Sequence, residues 1–147
     1  MKIKVAWIGK TKEAAIQTLT AEYLKRLNYF AEAEGVTLAD EADILKYRNK
    51  SGTRPPHAIV LLDGRGKQLS SEQLAEFLDQ HQNRSPHPLL FAIGPPSGFT
   101  DEARAAASFV LSLGKMTIAH ELVRIVLLEQ LYRAFTILKG HPYHLGH

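Results

Sequence analysis

Residues 58–93 read AIVLLDGRGKQLSSEQLAEFLDQHQNRSPHPLLFAI, and this stretch decides the fold class. Its two ends, Ala58-Ile-Val-Leu-Leu62 and Leu89-Leu-Phe-Ala-Ile93, are continuous apolar runs, the pattern of strands covered on both faces. Between them Asp63-Gly-Arg-Gly66 reads as a turn. Ser70 or Ser71 then caps a helix running to about His81, and Pro86 and Pro88 break the chain before the second strand. Two buried strands separated by a helix imply parallel pairing, because the crossover returns the chain to the end of the sheet where the first strand began.

The same rhythm extends in both directions. Toward the N-terminus, Ile3, Val5 and Trp7 alternate with Lys2, Lys4 and Ala6 as a strand with one wetter face, closed by Gly9 and Lys10. A helix is expected from Thr11 to about Leu27, a short strand over Val36 to Asp40 and a short helix over Glu41 to Lys50. Lys50-Ser-Gly-Thr-Arg-Pro-Pro56 is a loop. Toward the C-terminus, Gly94-Pro-Pro-Ser-Gly98 turns the second buried strand, and Thr100 with Asp101 starts a helix through Ala107. Val110 to Leu113 forms one more short strand, and a long helix runs from His120 to about Leu138. The expected architecture is one α/β domain, residues 1–147, with a mostly parallel sheet and helices on both faces. Leu122, Val123, Ile125, Val126, Leu127, Leu128 and Leu131 cover nearly the whole circumference of the last helix, where a surface helix shows a stripe. Either a second copy of the chain covers its outer side, giving a homodimer, or one subunit buries it entirely.

The totals narrow the function. The 147 residues include no cysteine, which excludes disulfides, thiol chemistry and most structural zinc sites. No run of about 18 apolar residues offers a membrane span, and Met1-Lys-Ile-Lys-Val5 lacks the apolar core of a signal peptide, so a soluble cytoplasmic protein is expected. From Ala103 to His147 five basic side chains (Arg104, Lys115, Arg124, Arg133, Lys139) face two acidic ones (Glu121, Glu129). That excess equals the net charge of +3 of the entire chain. A cationic surface for phosphates and a solvated helix face both fit it.

Ligands of open α/β sheets bind outside the carboxyl ends of the strands, and three loops there are rich in small residues. They are Asp63-Gly-Arg-Gly66, Gly94-Pro-Pro-Ser-Gly98 and Leu113-Gly-Lys-Met-Thr117. None matches a P-loop or a dinucleotide fingerprint, which argues against kinase and dehydrogenase chemistry. No Gly-x-Ser-x-Gly elbow supports nucleophilic catalysis. His141-Pro-Tyr-His144, with His147 beyond, has no neighbouring Cys, Asp or Glu to complete a metal shell, so no metal is expected. Polar contact to a nucleic acid, with Tyr143 as a stacking face, and a frayed polar tail are the two readings of that motif. Glu129 and Arg133, at i and i+4, read as a helix-surface ion pair. Arg124, set among apolar neighbours, needs a partner or a phosphate.

Leu111-Ser-Leu-Gly-Lys-Met-Thr-Ile-Ala-His120, Glu121-Leu-Val-Arg124, Leu128-Glu-Gln-Leu-Tyr-Arg-Ala-Phe135 and His141-Pro-Tyr-His144 together resemble the ribosomal RNA large subunit methyltransferase H family. Lys2 to Gly9, Glu22 to Arg26 and Val60 to Asp63 fit the same resemblance, whereas Asn28 to Pro56 fits poorly. The resemblance implies a member of the SPOUT class, with a trefoil knot in the C-terminal half. It implies a homodimer that methylates N3 of a pseudouridine in 23S rRNA, on the assembled ribosome, with S-adenosylmethionine as cofactor. Leu62, Gly94, Pro95, Gly114, Lys115, Met116, Thr117, Ile118 and Ala119 would hold the cofactor. His120, Arg124, Tyr143 and His144 fall on motif positions beside the substrate nucleotide. There His144, then His120, would assist removal of the N3 proton, and Arg124 would stabilise the anionic base or a phosphate. Two departures stand out. The glycine loop carries Pro95, which has no N–H to offer, and Ala119 replaces a frequent proline. The altered loop keeps a second reading open: a non-catalytic ribosome- or RNA-binding knotted dimer that has lost its cofactor.

Overall fold

The computed structural model describes residues 1–145; His147 of the tail lies outside them. Strands β1 (Lys2–Ile8), β2 (Glu32–Leu38), β3 (Ala58–Gln68), β4 (Leu89–Ile93) and β5 (Phe109–Ser112) form one sheet in the order β2-β1-β4-β3-β5. Every pairing is parallel. The helices are α1 (Ala14–Leu27), α2 (Glu41–Leu45), α3 (Ser71–Arg84), α4 (Asp101–Ala106) and α5 (His120–Leu138).

The sheet divides the core into two layers, as continuous apolar strands require. Ile3, Val5, Val60, Leu62, Leu89, Phe91 and Ile93 face one side, where Leu27 of α1, Leu74 and Leu78 of α3, and Leu127, Leu128 and Leu131 of α5 close over them. Ala6, Ile59, Leu61, Leu90 and Ala92 face the other, under Ile44, Tyr47, Phe99 and Ala103. Successive residues of β3 and β4 thus enter opposite layers, and neither strand has a polar position between Ile59 and Leu62 or within 89–93.

Polar side chains set the element ends. Ser70 closes a full capping box with Gln73, and the Thr100 hydroxyl accepts from the Ala103 N–H. Helix α1 starts at Ala14, later than Thr11, because the backbone N–H groups of Lys12 and Glu13 donate to Glu121 of α5, at 3.0 and 3.4 Å. One helix caps another. Strand β2 occupies 32–38 and not 36–40; its outer Glu32 and Glu34 lie opposite Lys2 and Lys4 in the register and pair with them at 3.9 and 3.3 Å. The expected helix over 41–50 stops at Leu45 and tightens into a 3-10 turn, Lys46–Arg48.

The expected turn at Asp63-Gly-Arg-Gly66 is instead part of β3, which continues to Gln68 with a register shift against β5 between Leu62 and Lys67. The irregularity is a bulge fixed by two contacts. The Asp63 carboxylate accepts the Arg65 N–H at 2.9 Å, and a Cβ on Gly66 would lie 2.5 Å from the Val110 carbonyl oxygen, a contact only glycine avoids.

Candidate active site

The carboxyl ends of β3, β4 and β5 open into two adjoining cavities. One, of about 250 Å³, is lined by Leu62, Leu111, Leu113 and Val123 with the loop from Gly114 to Ile118. The other, of about 540 Å³, shares Leu62, Asp63, Gly64, Thr117, Ile118 and Val123 with it and adds Ile93, the loop Gly94–Gly98, Ala119 and His120. Together they make one groove. It contains all nine residues assigned to the cofactor, and His120 at the first turn of α5 joins them.

Backbone conformation shapes the walls. Gly114 has φ of 131°, and Ser112 holds it from both sides, donating to its carbonyl and accepting its N–H at 3.1 Å each. The Pro95 carbonyl accepts the Gly98 N–H at 2.8 Å, closing a tight turn in which Gly98 takes φ of 85°. Leu62, Leu111, Ile93, Ile118 and Val123 supply an apolar floor, while the loops supply backbone polar groups.

Asp63 joins two of the loops, a role that the sequence signalled only through an Asp two residues before an Arg. Its carboxylate accepts from Arg65 Nε and Nη2 at 2.9 Å each and from the Phe99 N–H at 3.3 Å. Arg65 and Arg104 both donate to the Phe99 carbonyl, at 2.8 and 2.7 Å. The Arg65 guanidinium holds the Asp63 carboxyl well below the usual carboxylate range, against the opposing effect of burial.

Arg124 lies elsewhere. It is buried, its guanidinium stacks 3.7 Å from the Trp7 ring centroid, and Nη1 donates to Thr11 Oγ1 at 2.7 Å. The partner its charge requires is therefore an aromatic face with a hydroxyl. Its Nε and the Trp7 Nε1 are buried without hydrogen-bond partners, and burial lowers the pKa of the guanidinium. Arg124 lines neither cavity; one turn before it, Glu121 caps α1.

Tyr143 and His144 form a second cluster, apart from the groove. The tail folds back along α5 so that the Tyr143 hydroxyl donates to Glu129 Oε2 at 2.7 Å, and burial followed by this carboxylate pushes the phenol up to about 12. Arg133 Nη1 lies 3.1 Å from His144 Nδ1, and His144 Nε2 lies 2.5 Å from Glu72 Oε1. Arg133 and Glu72 thus engage both ring nitrogens of His144 and fix the orientation of the ring. Glu129 and Arg133, read from spacing as a surface pair, are mostly buried and anchor the tail at 2.9 Å. Only the folded-back tail reveals that role.

Among the described residues no group of His, Asp and Glu could hold a metal ion, and no helix is long and apolar enough to cross a membrane. A larger cavity, about 580 Å³, sits at the amino ends of the strands beside Lys2, Lys4, Glu32 and Glu34. Lys2 and Lys4 there pair with Glu32 and Glu34, and none of the loops that follow β3, β4 and β5 lines it.

Comparison with known proteins gives a consistent set of matches. A family model described as predicted SPOUT methyltransferase matches residues 1–144. The ribosomal RNA large subunit methyltransferase H of Koribacter versatilis is 55% identical over 147 residues, covering 100% of both chains. That of Geotalea daltonii is 42% identical over 152 residues, covering 98% of this chain and 99% of that protein. Two solved structures share the fold at low identity. A Legionella pneumophila methyltransferase with bound S-adenosylmethionine has a TM-score of 0.50 at 15% identity, over 91% of this chain and 66% of that one. The SpoU methyltransferase AviRb of Streptomyces viridochromogenes, also with its cofactor, has a TM-score of 0.52 at 13% identity, over 90% and 57%. The chain thus spans about two thirds or less of those two structures, whereas it spans the full length of its close relatives.

Proposed function

From the premise that this chain belongs to the SPOUT methyltransferase family, we propose that it methylates N3 of a pseudouridine in 23S rRNA on the assembled ribosome. It is an S-adenosylmethionine-dependent rRNA methyltransferase, like the full-length relatives that carry that name. The observation that carries the reading is the groove: an apolar floor between three backbone-rich loops, at the strand ends where this fold class places its ligand. Leu62, Gly94 and Gly114 to Ala119 would hold the cofactor, with Pro95 contributing shape and no donor. The trefoil knot of the C-terminal half belongs to the same proposal.

When bound, the cofactor supplies a methyl group already activated on a sulfonium. The chain has to hold the base nitrogen in line with it and receive the N3 proton. His120 lines the groove, which supports its proposed contact with the base. In one chain His144 and Tyr143 are held by Glu72, Glu129 and Arg133, away from the groove. They can serve it only when a second copy presents them.

A homodimer through α5 fits the surface. Leu122 is 49% exposed and Leu19 of the adjacent α1 is 40% exposed, so one subunit leaves apolar area of this face uncovered. Arg124 is assigned a positioning role, fixing the first turn of α5, and hence His120, against the loop after β1.

The test is to incubate the protein with isotope-labelled S-adenosylmethionine and ribosomes lacking the modification, then map the label by mass spectrometry. Label on N3 of a 23S pseudouridine is expected. Cofactor binding by titration with no label on rRNA would refute the substrate. No cofactor binding at all would favour the non-catalytic reading that Pro95 keeps open.

A further inference from the structure

The end of the molecule remote from the groove carries an aromatic and basic cavity that methyl transfer does not use. It measures about 400 Å³ and is lined by Arg26, Tyr29, Phe30, Tyr132, Lys139 and His141. Helix α5 begins at the groove and ends here, and its 19 residues at 1.5 Å each separate the two sites by roughly 28 Å.

Every lining residue is aromatic, cationic or an imidazole, and none is acidic. Arg26 does have an acidic neighbour outside the cavity: its Nε donates to Glu22 at 3.0 Å, while its guanidinium lies 5.8 Å from the Tyr132 ring centroid. Lys139 and His141 are exposed.

Tyr29 is the informative residue. It is 88% exposed, and its ring stands edge-on to Phe30 at 5.7 Å. Its backbone is not loose. The Asn28 side chain donates to the carbonyls of Leu24 and Ala33 at 2.8 Å each and accepts the Ala33 N–H at 3.1 Å, pinning the turn from which the ring projects. On the opposite wall, the His141 N–H donates to the Thr136 carbonyl at 2.9 Å, fixing the end of α5. Rigid aromatic faces beside cations are how proteins hold unpaired nucleotides: each base has a π-face to stack, and each phosphate has a charge to meet.

We infer that this cavity is a second contact for single-stranded rRNA, in which one base stacks on Tyr29 and the flanking phosphates meet Lys139 and Arg26. The inference rests on the rRNA reading above and deepens it, by giving a small enzyme a grip on its substrate outside the groove of the same subunit. Charge complementarity selects RNA over the same cavity of a second copy, because that cavity would present the same cations.

The experiment compares the full-length protein with Tyr29→Ala, Tyr29→Phe and Lys139→Ala. Affinities are measured for a short fluorescein-labelled oligouridylate, and KM for unmodified ribosomes. Tyr29→Ala is expected to weaken oligouridylate binding and raise the ribosome KM on the order of 5- to 150-fold. The cofactor affinity should stay unchanged, and Tyr29→Phe should restore binding. Lys139→Ala should reduce the salt dependence of oligouridylate binding by a slope of about 0.7. Wild-type affinity and KM in Tyr29→Ala, alongside normal methylation, would overturn the inference and leave the proposed function intact. Failure of the wild-type protein to methylate ribosomes, with oligouridylate binding still lost in Tyr29→Ala, would do the reverse. Conversion of a dimer to a monomer by Tyr29→Ala, seen by sedimentation, would reassign the face to contact between copies and overturn the inference.

Discussion

Replacing Asp63 by Asn tests whether the groove is a built site or a gap between loops. The Asp63 side chain is 4% exposed, and both carboxylate oxygens are engaged: Oδ1 by the Arg65 N–H and Nε, Oδ2 by Arg65 Nη2 and the Phe99 N–H. An asparagine can keep one set of acceptor contacts. Its amide nitrogen then faces donors on the other side, so the N–H of buried Phe99 loses its acceptor. Leaving one such donor unsatisfied costs about 1–3 kcal/mol. Arg65 can turn to water, so its share is small. The expected loss is about 2 kcal/mol, or a Tm lower by roughly 4–8 °C for a domain of this size. Because Asp63 ties the bulge of β3 to the loop after β4, the cofactor Kd should rise on the order of tenfold. The pH dependence has a definite sign. The folded carboxyl titrates below its unfolded value of about 3.9, so its contribution is fully present above that pH and is lost as pH falls toward the folded value. Urea titrations of both proteins should therefore show a constant gap from pH 5 to 7 that narrows below about pH 4. Equal urea midpoints at pH 7 with equal cofactor affinity by calorimetry would refute the clamp.

Three other substitutions separate stability from function. A Cβ added at Gly94 would lie 2.9 Å from Phe99 Cζ, so Gly94→Ala should displace that buried ring, cost about 1–3 kcal/mol and weaken cofactor binding; an unchanged calorimetric Kd would show that the loop yields harmlessly. Arg124→Met removes a buried charge with no carboxylate bonded to it, so thermal unfolding should move by less than about 1 kcal/mol in either direction while kcat/KM falls about tenfold; a large destabilisation would refute the positioning role. Leu131→Ala empties a fully buried position under the sheet and should cost about 2–5 kcal/mol in urea unfolding, with the cofactor Kd unchanged in the folded protein.

The parts of the structure that the sequence foretold share a physical cause. Ala58 to Leu62 and Leu89 to Ile93 announce strands because burial on both faces leaves no room for a polar residue, and the helix start at Ser71 follows from a cap that acts within three residues. Residues from Leu62, Gly94–Pro95 and Gly114–Ala119 gather in one groove because parallel pairing sends all three strand ends the same way. Such signals are local, or are carried by topology alone. Other features depended on contacts between distant segments. The continuation of β3 through Gly66 is set by the backbone of Val110, and the start of α1 is moved by Glu121, more than a hundred positions away. No local pattern could have shown that Arg124 rests on Trp7.

The same division explains the two halves of the chemistry. The groove proposed for the cofactor joins an apolar floor to loop backbone, which adjacent strand ends deliver together within one chain. The side chains proposed to handle the proton are long, and such side chains find partners wherever the fold puts them. His144 illustrates the result: both of its ring nitrogens are occupied, one by Arg133 and one by Glu72, and it lines no wall of the groove. A histidine held this way is oriented, but it faces no substrate within its own subunit and must release one of these partners before it can take a proton. His120 has the complementary condition, lining the groove with no hydrogen-bond network like that of His144. Joining the oriented histidine of one subunit to the groove of another would complete a site that neither holds alone. On that reasoning a variant that disrupts the apolar face of α5, such as Leu122→Glu, should abolish methyl transfer while leaving a folded monomer. Full activity in that monomer would assign the proton to His120.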